Sequence, residues 1–209
     1  MKTKNSIILV LALALISTTT FAQINFGMRH GVAGTTFSDL GDIYDNANIT
    51  YSYTAGAFLT IPVIESLAIQ PEINYVRKGR SNETTELSTP IETDFMIQYL
   101  QVPVLFQYRN NKILSNSGSV FYINAGPYTA FALNPQTRES NSTGEDLLVT
   151  VEESNNNDWG ATFGIGFQTP IRQNQVRFDL RYDMGISEIE AQPEDYRSKT
   201  LSLTIGLLL

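Results

Sequence analysis

Strict alternation between apolar and polar residues constrains this chain more than any other feature of its sequence. The segment QVRFDLRYDMG, residues 175–185, changes character at every step. Because successive side chains of a β-strand point to opposite faces, a strand here has one apolar face and one charged face. The apolar face carries Val176, Phe178, Leu180, Tyr182 and Met184. The charged face carries Arg177, Asp179, Arg181 and Asp183.

The same two-residue period recurs along the chain after residue 23, where no apolar run approaches the ~20 residues of a membrane helix. The pattern therefore predicts an all-β fold. We expect eight strands, over residues 24–37, 51–61, 67–77, 95–108, 119–133, 158–168, 175–185 and 199–209.

The predicted connections alternate between long and short. Residues 38–50, 80–94, 134–157 and 187–198 are long, polar and rich in acids, whereas the other three connections are shorter. Long connections at one end and short turns at the other are typical of a bacterial outer-membrane barrel. We therefore expect an eight-stranded antiparallel up-and-down transmembrane β-barrel in the outer membrane. Both termini should lie in the periplasm and the long acidic connections outside the cell.

The first residues have the organisation of a secretory signal peptide. Lys2 and Lys4 precede a short apolar core over residues 7–16, and the small residues on either side of Phe21 offer a cleavage point before Gln23. We expect residues 1–22 to be a cleaved signal peptide and residues 23–209 to form the barrel domain.

Alternation alone leaves open which face of the barrel lies outside. A soluble periplasmic lipocalin-like ligand-binding barrel would put the apolar face inside, whereas an outer-membrane barrel turns it toward lipid. The aromatic residues of the apolar face favour lipid, because they are expected to form two girdles at the membrane–water interfaces. The girdle near the long connections comprises Tyr51, Tyr53, Tyr75, Phe131, Trp159 and Tyr182. The girdle near the short turns comprises Phe26, Phe106, Tyr108, Phe121, Phe167 and Phe178.

The polar face is rich in glycine and small residues, which suit the narrow inside of an eight-stranded barrel. Charges enclosed there must pair or contact water. We expect a lumenal polar network of Arg29, Glu72, Arg177, Asp179, Arg181 and Asp183. A lumen filled by side chains argues against a small passive porin, which stays as an alternative function.

The sequence offers few groups for catalysis or cofactor binding. There is no cysteine, and the only histidine, His30, lies on the apolar parity of the first strand, which leaves no Ser-His-Asp arrangement. The net charge of −7 argues against nucleic-acid binding. We expect no enzymatic activity and no cofactor. Asp39, Asp42 and Asp45 depart from EF-hand spacing, so a solvated loop is favoured there over a calcium site.

Four segments together resemble the PorT-like outer-membrane β-barrel family of Bacteroidota. They are IQPEINYVRKG (69–79), YLQVPVLFQY (99–108), FYINAGPYTAF (121–131), and WGATFGIGF with VRFDLRYDMGISEI (159–189). The resemblance covers nearly all of the chain after the leader and implies an eight-stranded outer-membrane barrel. It assigns no activity to this chain, although PorT itself serves a secretion and gliding system. We expect a non-enzymatic role, structural or partner-binding.

The longest connection contains an apolar run with high β-propensity, between acidic ends. Its apolar residues are Leu147, Leu148, Val149 and Val151. An exposed run of this kind invites pairing with a strand of another protein. Two interpretations stay open: a docking edge for a protein with a basic surface, and a hairpin that continues the neighbouring strands above the membrane.

Overall fold

The computed structural model describes residues 24–38, 48–86, 89–110, 117–141, 146–150, 157–187, 189–191 and 194–209. Ten strands account for most of these residues. They are β1 Asn25–Ser38, β2 Asn48–Ile64, β3 Leu67–Glu86, β4 Thr89–Asn110, β5 Val120–Asn141, β6 Asp146–Thr150, β7 Asp158–Ile171, β8 Asn174–Gly185, β9 Ile189–Ala191 and β10 Glu194–Leu208. Within the described ranges, no helix is long and apolar enough to cross a membrane.

Eight of the strands close into a ring. Each pairs antiparallel with its neighbours in the order β1-β2-β3-β4-β5-β7-β8-β10, and β10 pairs back onto β1 from Gly27↔Leu208 to Ser38↔Arg197. The predicted eight-stranded antiparallel up-and-down barrel is confirmed. The short strands β6 and β9 lie outside the ring, paired with β5 and β10. We call the end where β1 begins and β10 ends the turn end, and the opposite end the loop end.

β3, β4 and β5 show the largest extensions at the loop end beyond the strands that the sequence pattern predicts. Residues 80–94, predicted as a polar connection, are mostly a paired hairpin in which β3 and β4 run in register to Glu86↔Thr89. In the same way β5 continues to Asn141. The predicted ends of these strands were wrong here for a physical reason: backbone pairing does not depend on alternation, so a strand can continue where the sequence becomes polar throughout.

The barrel carries its apolar residues outside and its charges inside. In β8, Leu180 is 42 % exposed on the outer surface, whereas Asp179 and Arg181 are only 1 % and 4 % exposed. This arrangement is the reverse of that in a soluble lipocalin-like barrel, and it suits a barrel whose outer solvent is lipid.

Candidate functional site

The middle of the lumen is organised around the carboxylate of Glu72 on β3. Arg29 of β1 donates to it through both terminal nitrogens, with N···O distances of 3.1 and 2.5 Å. Arg181 of β8 approaches from the other side, and its Nη1 lies 3.0 and 2.9 Å from the two carboxylate oxygens. One buried acid therefore links three strands and separates two guanidinium groups.

Neighbours on β3 complete the hydrogen bonding of this carboxylate. Gln70 donates to Oε1 at 2.6 Å and Asn74 donates to Oε2 at 3.0 Å. Both are inward-facing because they lie two residues from Glu72 on the same strand. Glu72 thus accepts hydrogen bonds from four side chains, as a buried charge in a low-dielectric interior requires.

A second group of contacts lies nearer the turn end, around Arg177. Its Nε donates to the Tyr122 hydroxyl at 2.8 Å, and this hydroxyl donates to Asp179 at 2.9 Å. The guanidinium carbon lies 4.8 Å from the ring centroid of Phe58 and 4.3 Å from that of Tyr122. Phe58, the one apolar residue on the polar parity of residues 51–61, therefore serves as a stacking surface for a buried cation.

Asp183 is inward-facing like the other predicted network residues, but it stands apart from the arginines. It accepts hydrogen bonds from Thr162 at 2.6 Å and from Gln101 at 3.3 Å. A cavity of about 20 Å³ lies among Asp183, Arg181 and Arg29, with threonines and a serine around it. This space has room for about one water molecule. The structure thus brings five of the six predicted lumenal residues into one contact network and leaves Asp183 on its border.

Near the loop end, the lumen holds an ion pair that we did not anticipate from the sequence. The Lys78 ammonium lies 2.5 Å from Asp158 Oδ2, and both side chains are fully buried. The same carboxylate accepts hydrogen bonds from Ser198 at 2.7 Å, from Tyr128 at 3.0 Å and, through Oδ1, from Ser187 at 2.6 Å. Parity was the available signal, because Lys78 is at an even-numbered position of β3, like Gln70, Glu72 and Asn74.

Aromatic and aliphatic side chains surround this ion pair. Lys78 Nζ lies 4.8 Å from the Tyr128 ring centroid and 5.5 Å from that of Tyr99. The two rings belong to a buried cluster that fills the lumen at this level: Ala33, Val76, Ile97, Tyr99, Tyr128 and Ala130. The loop end of the lumen is therefore closed by packed rings and an ion pair.

The buried charges of the described residues balance. The cations are Arg29, Lys78, Arg177 and Arg181, and the anions are Glu72, Asp158, Asp179 and Asp183. Within the same part of the chain, no cluster of three or more acidic, histidine or cysteine side chains could hold a metal ion. This arrangement can tie strands together and exclude a continuous water column.

The residues predicted to form aromatic girdles lie on the outer surface. Ten of them are exposed, and Tyr75 and Phe167 are partly buried. Tyr75 stacks on Tyr53 at a centroid distance of 5.7 Å, and Phe167 contacts Phe121 in a tilted arrangement at 5.0 Å. The exposed ones are Phe26, Tyr51, Tyr53, Phe106, Tyr108, Phe121, Phe131, Trp159, Phe178 and Tyr182.

The apolar run of the longest connection forms a strand at its centre. Leu147, Leu148 and Val149 belong to β6, which pairs with β5 from Ser140↔Asp146 to Gln136↔Thr150. The run thus forms a hairpin with β5, the strand before it in the chain, and docking of a partner at the other edge of β6 stays a prediction. Val151 lies outside the described residues, as do Asp39, Asp42 and Asp45 of the calcium hypothesis.

Comparisons with known proteins agree with this architecture. The family model described as "Outer membrane protein beta-barrel domain" matches residues 21–190. No curated protein matches the chain.

Three solved structures are similar in fold. The first is Ail, the attachment invasion locus protein of Yersinia pestis, in complex with the heparin analogue sucrose octasulfate; identity is 14 %, coverage is 89 % of this chain and 99 % of that chain, and the TM-score is 0.46. The second is Neisserial surface protein A, with 14 % identity, coverage of 87 % of this chain and 96 % of that chain, and a TM-score of 0.46. The third is the outer membrane protein OprG from Pseudomonas aeruginosa, with 11 % identity, coverage of 88 % of this chain and 95 % of that chain, and a TM-score of 0.45.

Proposed function

Since the chain belongs to the outer membrane protein beta-barrel domain family, we propose that it is a non-conducting, non-enzymatic barrel that supports partner-binding strands outside the membrane. The filled lumen carries this proposal. Four cations and four anions are buried there, and the cavity among Arg29, Arg181 and Asp183 measures only about 20 Å³. An eight-stranded barrel has just enough interior for side chains, and here they occupy it.

A conductance measurement separates this function from that of a small passive porin. Purified protein reconstituted in planar lipid bilayers is expected to give no stable channel openings, because the Lys78–Asp158 pair and the tyrosines around it close the loop end of the lumen. Circular dichroism of the same preparation controls for folding. Reproducible single-channel steps from folded protein would contradict the proposal and favour the porin.

The placement of the chain in the membrane is part of the same proposal. Residues 1–22 act as a cleaved signal peptide, residues 23–209 form the barrel domain, both termini face the periplasm, and the loop end faces the outside of the cell. The predicted aromatic residues form interfacial girdles, and the chain is a PorT-like member from the Bacteroidota. The intact mass of protein extracted from outer membranes tests the leader boundary, since cleavage should leave Gln23 as the first residue.

The strands beyond the barrel at the loop end supply the partner-binding surface. β4 and β5 stay paired as far as Ile91↔Asn141, and β6 adds a further strand on the other side of β5. Among the described residues, β6 pairs with β5 alone. Such an edge can accept an added strand. Glu145, Asp146, Glu152 and Glu153 flank the apolar run in sequence and favour a partner with a basic surface.

Deleting residues 144–153 tests this surface directly. The deletion is expected to leave the barrel folded and inserted, because β6, the described part of this segment, lies outside the ring of eight strands. It should abolish the protein partners recovered by crosslinking on intact cells. A deletion of residues 40–46, in the connection between β1 and β2, is the matched control and should leave those partners in place. If the first deletion leaves the full set of crosslinked partners unchanged, β6 is not a docking edge.

A further inference from the structure

The cavity of about 20 Å³ in the middle of the lumen is enclosed by polar side chains. Its lining comes from seven of the eight strands of the ring, all except β5. Val76 and Pro103 are the apolar residues of the lining, and the others carry hydroxyl, amide or charged groups. Dry cavities in proteins are apolar, whereas polar cavities with this much room hold water. The polar atoms around the cavity therefore indicate what it binds.

One hydrogen-bond donor at the cavity lacks an acceptor. Arg181 donates to Glu72 through Nη1 and to Asp179 through Nη2, but its buried Nε has no partner among the described residues. The guanidinium group is planar and donates in fixed directions, so Nε cannot turn toward either carboxylate while the other two nitrogens keep their bonds. A guanidinium group cannot accept a hydrogen bond, so Nε requires an acceptor.

One acceptor at the cavity lacks a donor. Asn74 donates through Nδ2 to Glu72 at 3.0 Å, and its buried Oδ1 has no partner in the described part of the chain. The opposite orientation of the amide would place Oδ1 against the carboxylate, so the charge of Glu72 fixes which atom is which. Oδ1 therefore requires a donor.

Thr204 of β10 also lines the cavity and has a third atom of this kind. Its hydroxyl oxygen is buried and makes no hydrogen bond within the described ranges. A buried hydroxyl without a partner is costly, and the cavity is the polar space that this side chain contacts.

We propose that the cavity binds one water molecule, which joins Asp183 to the arginine network of the lumen. The water oxygen accepts hydrogen bonds from Arg181 Nε and from the Thr204 hydroxyl. The water donates one hydrogen to Asn74 Oδ1 and the other to the Asp183 carboxylate, which accepts two bonds from protein side chains and has lone pairs left. Four partners are within the usual range for a buried water molecule.

The same atoms favour water over an ion. A cation cannot accept a hydrogen bond from Arg181 Nε, and Arg29 and Arg181 already place two positive charges at the cavity. A chloride ion could accept from Nε, but it could not donate to Asn74 Oδ1, and the carboxylate of Asp183 would repel it. A space of about 20 Å³ leaves no room for a larger solute that both donates and accepts.

A high-resolution crystal structure of the purified barrel tests the site directly. We expect one density peak in the cavity, within about 3 Å of both Arg181 Nε and Asn74 Oδ1. A second crystal grown with sodium bromide is expected to show no anomalous signal at this position. A cavity without density, or a bromide ion in it, would overturn the proposal.

The variant Thr204→Val tests the same site in the membrane. Valine has the shape of threonine without its hydroxyl, so the water should lose one partner and the space should stay the same. Urea unfolding in lipid vesicles is expected to show a folding equilibrium constant about fivefold lower than that of the wild type, the usual net effect of one lost hydrogen bond. In a dry cavity this hydroxyl would be buried and unpaired, and its removal would leave the constant unchanged or raise it.

Thr36→Val is the matched control. The Thr36 hydroxyl is also buried without a partner among the described residues, but Thr36 does not line the cavity. This variant should keep or raise the folding equilibrium constant. The proposal is wrong if Thr204→Val does the same. Conductance and crosslinking test the proposed function without this water, so the two can fail separately.

Discussion

Replacing Glu72 with glutamine is expected to destabilise the barrel by about 3–5 kcal/mol, the usual cost of removing one partner from a buried ion pair. The glutamine keeps the shape of the side chain but leaves the guanidinium groups of Arg29 and Arg181 facing each other without an anion between them. Urea unfolding in lipid vesicles, followed by the fluorescence of Trp159, the only tryptophan, measures the change.

Two further variants show whether the cost comes from unpaired charge. Glu65→Gln alters an exposed acid in the turn between β2 and β3 and should change stability by less than about 0.5 kcal/mol. The double variant Glu72→Gln with Arg29→Met also removes one of the two cations that the glutamine leaves unpaired. Its loss of stability should therefore be smaller than the sum of the losses in the two single variants. Additive costs would mean that Arg29 and Glu72 are not coupled, contrary to their 2.5 Å contact.

The alternation of residues 175–185 was sufficient to predict which side chains of β8 share a face. Parity is a property of the backbone, so Arg177, Asp179, Arg181 and Asp183 had to share a face once the segment was a strand. Their contacts could not be predicted in the same way. The stagger between strands brings Arg181 to Glu72, more than a hundred residues away, while Asp183 meets Thr162 and Gln101 instead.

The Lys78–Asp158 pair illustrates the same limit. Both residues lay at the edges of predicted strands, where the polar sequence on either side suggested a solvated connection. Only the pairing of the long hairpins shows that the ring is still closed at this height, so that both charges point into the lumen. Alternation assigns a side chain to a face, but burial also depends on how far the ring of paired strands extends.

The outer face carries the second large effect. Leu180 lies in the middle of β8, with Ile165 and Leu203 as its register partners on the two neighbouring strands. All three are exposed aliphatic side chains. In a membrane barrel this band contacts the hydrocarbon core, so an arginine at Leu180 would have no water around it. Its described register partners on the same face are aliphatic and offer no carboxylate to pair with it.

Leu180→Arg is therefore expected to lower the free energy of unfolding by about 2–4 kcal/mol in lipid vesicles, the range for a cation near the bilayer midplane. Ile171→Arg is the matched control, because Ile171 is similarly exposed but ends β7 beside the turn to β8. There the arginine can reach the interface, and the cost should fall to about 0–1 kcal/mol. Equal costs at the two positions would mean that the cost of the arginine does not depend on the position along the strand. Leu180 would then not face the membrane core.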